Sequence, residues 1–440
     1  MHESQRRSLL RLLFVTSCLL PTAAVLAYGF AGRTSYVRSS IAARLGAACG
    51  LRVEIDGVRY PRPGNAILDG VRCCDPETGV LVVACRSIET SSEGDGISLH
   101  ADGAEIFADR AGRLFDYLER HLRSELPEAA SRVDVTADEL TWHVGKESQT
   151  LVDFEGTFGP EDDVRRLAAS FRLPGSDDAH PTALRIARDT KVSPAETVVE
   201  LDSGAVLLPI AMFGPLIDAA DSVGTEARWS GRLKLRRTQR SWEGIASCDA
   251  TEVDFRQLTS HCVGDRLWGT GELRIHWAEF AAGRIARVRG TIIAGPGQIS
   301  RDLLRAGIVH LGMGSADTMV PEGPPVLFDR MEFDFSIDAD GLAIKCRSAE
   351  QHDALLWRDD IVYWHVPPSG AQPVAHLLRA LSSDREPLVP MAEPTTALLA
   401  ILPLPGSPPR VPTETAAKPQ LIGQPRLRLR TPTPDDVQLR

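Results

Sequence analysis

The side chains of this chain that could do chemistry are its histidines, cysteines and closely spaced carboxylates. Their spacing decides which chemistry is open. His261 stands beside Cys262, and His276 beside Trp277. Two ligands share a metal when they sit at i,i+4 on a helix or two to four residues apart in a turn, and neither pair does. Cys73-Cys74 would serve a soft metal or a redox partner only if both thiols faced one way. Adjacent strand residues face opposite ways, which favours two structural cysteines. Asp338-Ala339-Asp340-Gly341 resembles a fragment of a calcium loop. It lacks the remaining ligands and the closing glutamate, and it fits a hairpin turn. Gly295-Pro296-Gly297 lies where a phosphate loop could sit, but it lacks the third glycine and the Lys-Ser/Thr pair and reads as a tight turn. Asp177-Asp178-Ala179-His180 reads as a polar loop. There is no HExxH, no GxSxG and no Walker loop. The sequence therefore assigns no catalytic residue, no metal ligand and no cofactor, and the expectation is a protein that is not an enzyme.

Composition narrows the classes further. The 440 residues are 43% hydrophobic, enough for a core in two or three domains or one extended array. A net charge of -10 excludes the basic footprint that nucleic-acid binding needs. The eight cysteines follow no regular spacing, so a disulfide scaffold is not expected. A bridge between Cys248 and Cys262 is one candidate.

Near the N-terminus, Arg6, Arg7 and Arg11 precede an uncharged apolar stretch, 12–31. Roughly 20 helical residues span a hydrocarbon core of ~30 Å, so the stretch reads as a transmembrane signal anchor. Two readings compete. One is a cleaved signal peptide ending near Ala27 or Ala31, and the other is a lipobox at Val15-Thr16-Ser17-Cys18. The anchor implies a single pass through the inner (cytoplasmic) membrane with the bulk of the chain periplasmic. Arg33, Arg38 and Arg44 follow the stretch, so flanking charge gives little orientation.

The elements behind the anchor are mainly strands. Val37, Ile41, Leu45 and Ala48 recur at helical spacing, with Gly50 as a stop. The period then switches to two at Leu51-Arg52-Val53-Glu54-Ile55-Asp56. Asp75-Pro76-Glu77-Thr78-Gly79 predicts a hairpin turn between Val71–Cys74 and Val80–Cys85. Further strands are expected at 97–101, 140–144, 151–158, 168–173, 183–187 and 198–201, then around Leu233/Leu235, Val253/Phe255, Leu273/Ile275 and Ile285/Val288. Phe333, Phe335 and Ile337 alternate up to a turn at 339–341, and Leu342, Ile344 and Cys346 alternate after it. Helices are expected around Leu114–Leu126, from Ile299 to Leu311 with Ser300 as N-cap, and around Val374–Leu381. Pro209 and Pro215 break any helix in 206–220. The domain reading is a cytoplasmic N-terminus, 1–11; the anchor, 12–31; a juxtamembrane helix, 32–50; two β-rich regions, 51–224 and 225–382; and a Pro-rich disordered tail, 383–440.

The order of these features resembles an AsmA-like protein of bacterial envelopes, in the divergent style of planctomycete-type bacteria. The resemblance rests on Leu51-Arg52-Val53-Glu54-Ile55-Asp56-Gly57-Val58, Arg62-Pro63-Gly64, Leu68-Asp69-Gly70-Val71 and the turn that follows. It continues in the stretch from Trp229-Ser230-Gly231 to Gly312 and in the hairpin from Phe333 to Ile344. It covers roughly residues 10–380 and rests on strand-and-turn patterns with no catalytic signature. It implies a curved antiparallel sheet with an apolar groove, no catalytic residues, and a role in lipid handling or envelope biogenesis. The implied partners are the membrane bilayer, phospholipid acyl chains and other envelope proteins. Groove-lining candidates are Phe333, Phe335, Ile337, Leu342 and Ile344, and an ordinary sandwich core competes for the same residues. The alternative function is an envelope scaffold or assembly factor with no lipid cargo.

Overall fold

The computed structural model describes residues 12–23, 34–62, 64–93, 96–123, 132–161, 164–176, 180–213, 223–237, 241–263, 266–282, 284–314, 323–347, 353–368 and 370–381. Helix α1 (Ser35–Cys49) starts at Thr34, whose side chain accepts from the Val37 amide at 3.4 Å, and stops at Gly50 with φ 72°. Ile41, Ala42 and Cys49 of α1 pack against the core while Leu45 is exposed. Strands β1 (Arg52–Glu54), β2 (Gly57–Arg62), β3 (Asn65–Cys74) and β4 (Leu81–Glu93) follow. The β3–β4 turn is the one read from sequence: Asp75 Oδ1 accepts from the amides of Glu77 and Thr78 at 2.9 and 2.8 Å.

Strands β5 (Gly96–Asp102) and β6 (Ala104–Phe107) lead through α2 (Gly112–Leu122) to β7 (Arg132–Val144). Both β5 and β6 pair with β7 in parallel, which departs from the antiparallel sheet expected. Parallel neighbours need a crossover, and α2 lies within this one. From β7 the chain continues antiparallel through β8 (Glu147–Glu161), β9 (Val164–Arg172), β10 (Thr182–Asp189) and β11 (Glu196–Asp202). After the short β12 (Leu208–Pro209) come β13 (Arg228–Arg237), β14 (Trp242–Asp254), α3 (Phe255–Val263), β15 (Leu267–Trp268), β16 (Thr270–Ala281) and β17 (Arg284–Ala294). Then follow β18 (Gly297–Ile299), α4 (Arg301–Leu311), β19 (Val326–Phe328), β20 (Arg330–Asp338), β21 (Gly341–Lys345), β22 (Ala354–Arg358), β23 (Ile361–His365) and α5 (Val374–Leu381). Twenty strands join one sheet, and β15, β18 and β19 form a second, three-stranded one.

Cross-strand register sorts the side chains onto two faces, because directly paired residues point the same way. One face carries a row from Val135 through Gly156, Ala169, Leu184, Leu201, Leu233, Ala246, Ala278, Val288 and Ile337 to Leu342. Beside it run Val133, Phe158, Leu167, Ile186, Val199, Leu235, Gly244 and Phe280. Among the described residues, helices cover this face near its ends. At the β20–β21 end, Leu303, Leu304 and Leu311 of α4, Leu377 and Ala380 of α5 and Phe255 of α3 join Leu342, Ile344, Leu355 and Leu356 in one core. Ser300 caps α4 by accepting from the Leu303 amide at 3.2 Å, and Gly312 ends it at φ 67°. Gly307 lets α4 lie on Trp364, since an added Cβ would stand 2.8 Å from the indole ring. The indole Nε1 donates to the Leu304 carbonyl at 3.1 Å. At the β3–β4 end, α1 and Met212 close a second core around Val58, Leu68, Val71 and Leu140. The predicted break in 206–220 is a 3-10 turn, Ile210–Phe213, and 214–222 lie outside the described residues.

The N-terminal expectation is corrected. Residues 12–23 are helical, with a π-helical stretch at Val15–Leu19, and 24–33 lie outside the described residues. The hydroxyls of Thr16, Ser17 and Thr22 donate back to carbonyls one turn earlier. Among the described residues no helix is long and apolar enough to cross a membrane. The transmembrane signal anchor, the inner-membrane placement, the bilayer and envelope partners and the membrane-anchored function lose their support with it. Cys248 is a free thiol, so the proposed bridge to Cys262 is not formed. The tail, 383–440, lies outside the described residues.

Candidate functional site

The five residues proposed to line a groove are drawn into the core beneath α4 and α5. Leu342 and Ile344 are buried there, and Phe333, Phe335 and Ile337 pack against the same cluster. Phe335 stands opposite Gly290 and Ile344, and Ile337 opposite Val288 and Leu342. With helices packed on it, this end of the apolar face is closed, which corrects the expectation of a hydrophobic groove for acyl chains. The turn at 339–341 binds its own chain: Asp338 Oδ1 accepts from the Asp340 amide at 2.9 Å. Gly341, at φ 131°, leaves room for the Gln372 carbonyl, which an added Cβ would approach to 2.1 Å.

The polar face carries a more connected set of groups. A bulge in β16 between Ile275 and Trp277 takes His276 out of register with β17. Bulges re-aim side chains, and here the imidazole Nε2 reaches Thr291 Oγ1 at 2.8 Å. The Thr291 hydroxyl donates to Asp334 Oδ1 at 2.6 Å. Its oxygen must then accept from Nε2–H, which fixes the imidazole tautomer. Three neighbouring strands are tied by this chain, whose central threonine is only 1% exposed.

Trp277 and His276 form one wall of a cleft of about 440 Å³ that crosses β10, β11, β13, β14 and β16. Its floor is two polar rows set by register: Ala183, Asp202, Arg232 and Ser247, then Arg185, Glu200, Lys234 and Ile245. Arg232 pairs with Asp202 at 3.0 Å, and Lys234 with Glu200 at 2.6 Å. Glu200 is thus engaged by Lys234, and Arg185 makes no ion pair among the described residues. Exposed Ile245 and half-buried Trp277 add apolar surface among these charges. The cleft offers one uncompensated cation, several donors and acceptors, and an aromatic ring. That combination suits a ligand with hydroxyls and a negative charge.

Other clusters are less suited to chemistry. Cys49 and Cys73 both pack at the junction of α1, β3 and β4, near Cys85. Burial pushes the Cys73 thiol up to about 12 and the Cys85 thiol up to about 11, which leaves both protonated and unreactive at neutral pH. His121 of α2 is 4% exposed and packs at a tilt against Phe158, with ring centroids 3.9 Å apart. Arg165 donates to its Nε2 at 3.3 Å, and among the described residues Nδ1 has no hydrogen-bond partner. Burial, with Arg165 adding to it, pushes this imidazole down to about 4. A hollow of about 590 Å³ between α1 and β1 gathers Arg38 and Glu54 but no aromatic residue. Among the described residues no group of three or more His, Cys, Asp or Glu could hold a metal ion. Of the other residues singled out from sequence, 177–179 and the side chains of His261 and Cys262 lie outside the described part.

The pairing of His276 with Trp277 was visible in the sequence, and both reach the cleft. Arg185, Glu200, Asp202, Arg232 and Lys234 were not singled out. Their signal was the polar half of the alternation whose apolar half, Leu233/Leu235, was read. No family model matches this chain, and no curated protein or solved structure matches it.

Proposed function

We propose that this chain is a non-enzymatic binding protein whose long sheet is the recognition surface. The ligand lies on the polar face, in the cleft walled by Trp277 and His276, and is an acidic, hydroxyl-rich molecule such as an acidic glycan. The carrying observation is that Arg185 makes no ion pair among the described residues, in a cleft where every other strand-borne charge is paired. A carboxylate would complete Arg185, sugar hydroxyls would exchange hydrogen bonds with the two ion pairs, and a sugar face would stack on Trp277.

Binding without turnover is supported by the His276–Thr291–Asp334 chain. Both ends of the Thr291 hydroxyl are engaged, and it is shielded from solvent, so it offers no attacking oxygen. The AsmA-like resemblance is retained as a proposal about architecture alone, supported by the antiparallel succession β7, β8, β9, β10, β11, β13, β14, β16, β17, β20 and β21 within one sheet.

Titration calorimetry of the full chain with oligogalacturonate tests the proposal. Binding is expected, with Arg185→Ala and Trp277→Ala each weakening it at least tenfold while the melt is unchanged. No heat of binding, or binding indifferent to both substitutions, overturns it. A neutral oligosaccharide of equal length should bind at least tenfold more weakly.

A further inference from the structure

The second face of the same strands carries an independent inference. Leu167, Leu184, Ile186, Val199, Leu201, Leu233 and Leu235 are half-buried, and none belongs to a helix-covered core. Apolar faces of this breadth are normally covered. We propose that the cover is the chain's own segment Ala397-Leu398-Leu399-Ala400-Ile401-Leu402-Pro403-Leu404, which lies outside the described residues.

Four observations point to this occupant. The segment has no charged residue, in a region otherwise rich in proline and polar groups, so it matches the face in chemistry. The chain reaches it from the correct side. Helix α5 ends at Leu381, and Leu377 and Ala380 pack in the same cluster as Leu342, which ends the apolar row running through Leu233 and Leu201. The length also suffices. Strand β13 lies roughly 25 Å from β21 at ~4.8 Å per strand. Residues 382–396 reach up to about 50 Å when extended. Along the margin of the face, Arg165, Arg188 and Arg237 share one register row, and the connecting residues bring Asp384, Glu386 and Glu393. The segment would act as a built-in cover, excluding a second copy of the sheet from pairing face to face.

The test uses the full chain with p-benzoylphenylalanine in place of Leu235. Irradiation is expected to join position 235 to a peptide within 397–404 of the same molecule, with a yield independent of protein concentration. Leu399→Asp with Ile401→Asp should cut that yield at least tenfold and speed amide exchange in 197–201 and 231–235 without moving the main melt. Cross-links to a second copy, or to any site other than 397–404, overturn the proposal. So does unchanged exchange in the double variant. None of these readouts depends on ligand binding in the polar cleft, so the two proposals fail separately.

Discussion

The end of the sheet beneath α4 and α5 and the central strands β9–β14 share one apolar row but differ in what lies over it. At the helical end, Leu355, Leu356 and Phe328 are sealed from solvent by α3, α4, α5 and the small second sheet. In the centre, Leu184, Leu201 and Leu233 occupy the row that ends at Leu342 and stay half-buried. The strand pattern is the same in both regions, so alternation specifies two-sidedness and leaves the covering layer unspecified. Stability is therefore concentrated at the closed ends, while the centre gains less from burial.

The largest expected effect tests that division directly. Leu355→Ala, at 0% exposure, should destabilise the protein by about 3–4 kcal/mol, because the cavity cannot collapse under packed helices. Leu233→Ala should cost only about 1 kcal/mol, since a half-covered side chain loses less burial. Urea midpoints at constant slope measure both, and equal costs would break the comparison.

Next comes the pH response of His121. Its imidazole is held down to about 4, below the ordinary value of 6.5. The unfolded chain therefore binds more protons between those values, and stability rises with pH across the window. The contribution is complete above 6.5 and is lost as pH falls towards 4. It is on the order of 2 kcal/mol. Denaturation midpoints from pH 7 to pH 4 should show this slope, and His121→Leu should flatten it.

Thr291→Val keeps the shape but leaves His276 and Asp334 without their shared hydroxyl. A loss of about 1–2 kcal/mol is expected, less than for a core truncation, because the imidazole retains contact with solvent. Thermal melts give the cost, and imidazole nitrogen shifts should show the Nε2–H tautomer no longer enforced. The smallest stability effect is expected for Arg185→Ala, within roughly 0.5 kcal/mol, as for other exposed positions without a structural partner. A large loss there would make Arg185 structural and remove the basis for its binding role.

Much of the fold is legible in the sequence. The turn at 75–79, the cap at Ser300, the stop at Gly312 and the hairpin at 339–341 each carry their own local chemistry. What could not be read depends on contacts distant in sequence. The parallel pairing of β5 and β6 with β7 is decided by where α2 docks. The fate of Phe333, Phe335 and Ile337 is decided by helices that lie before and after them in the chain. The apolar stretch at 12–31 met the length criterion for a membrane span, yet among the described residues no helix is long and apolar enough to cross a membrane.

By itself, the sequence determined the mainly β character, the alternation that makes each strand two-faced, and the local turns and caps, because these depend on neighbours a few residues away. Tertiary structure alone decided which faces became core, which charges found partners and which cation was left over. Burial and ion pairing are properties of register and packing, and register brings Arg185, Lys234 and Trp277 together from strands that the sequence holds far apart.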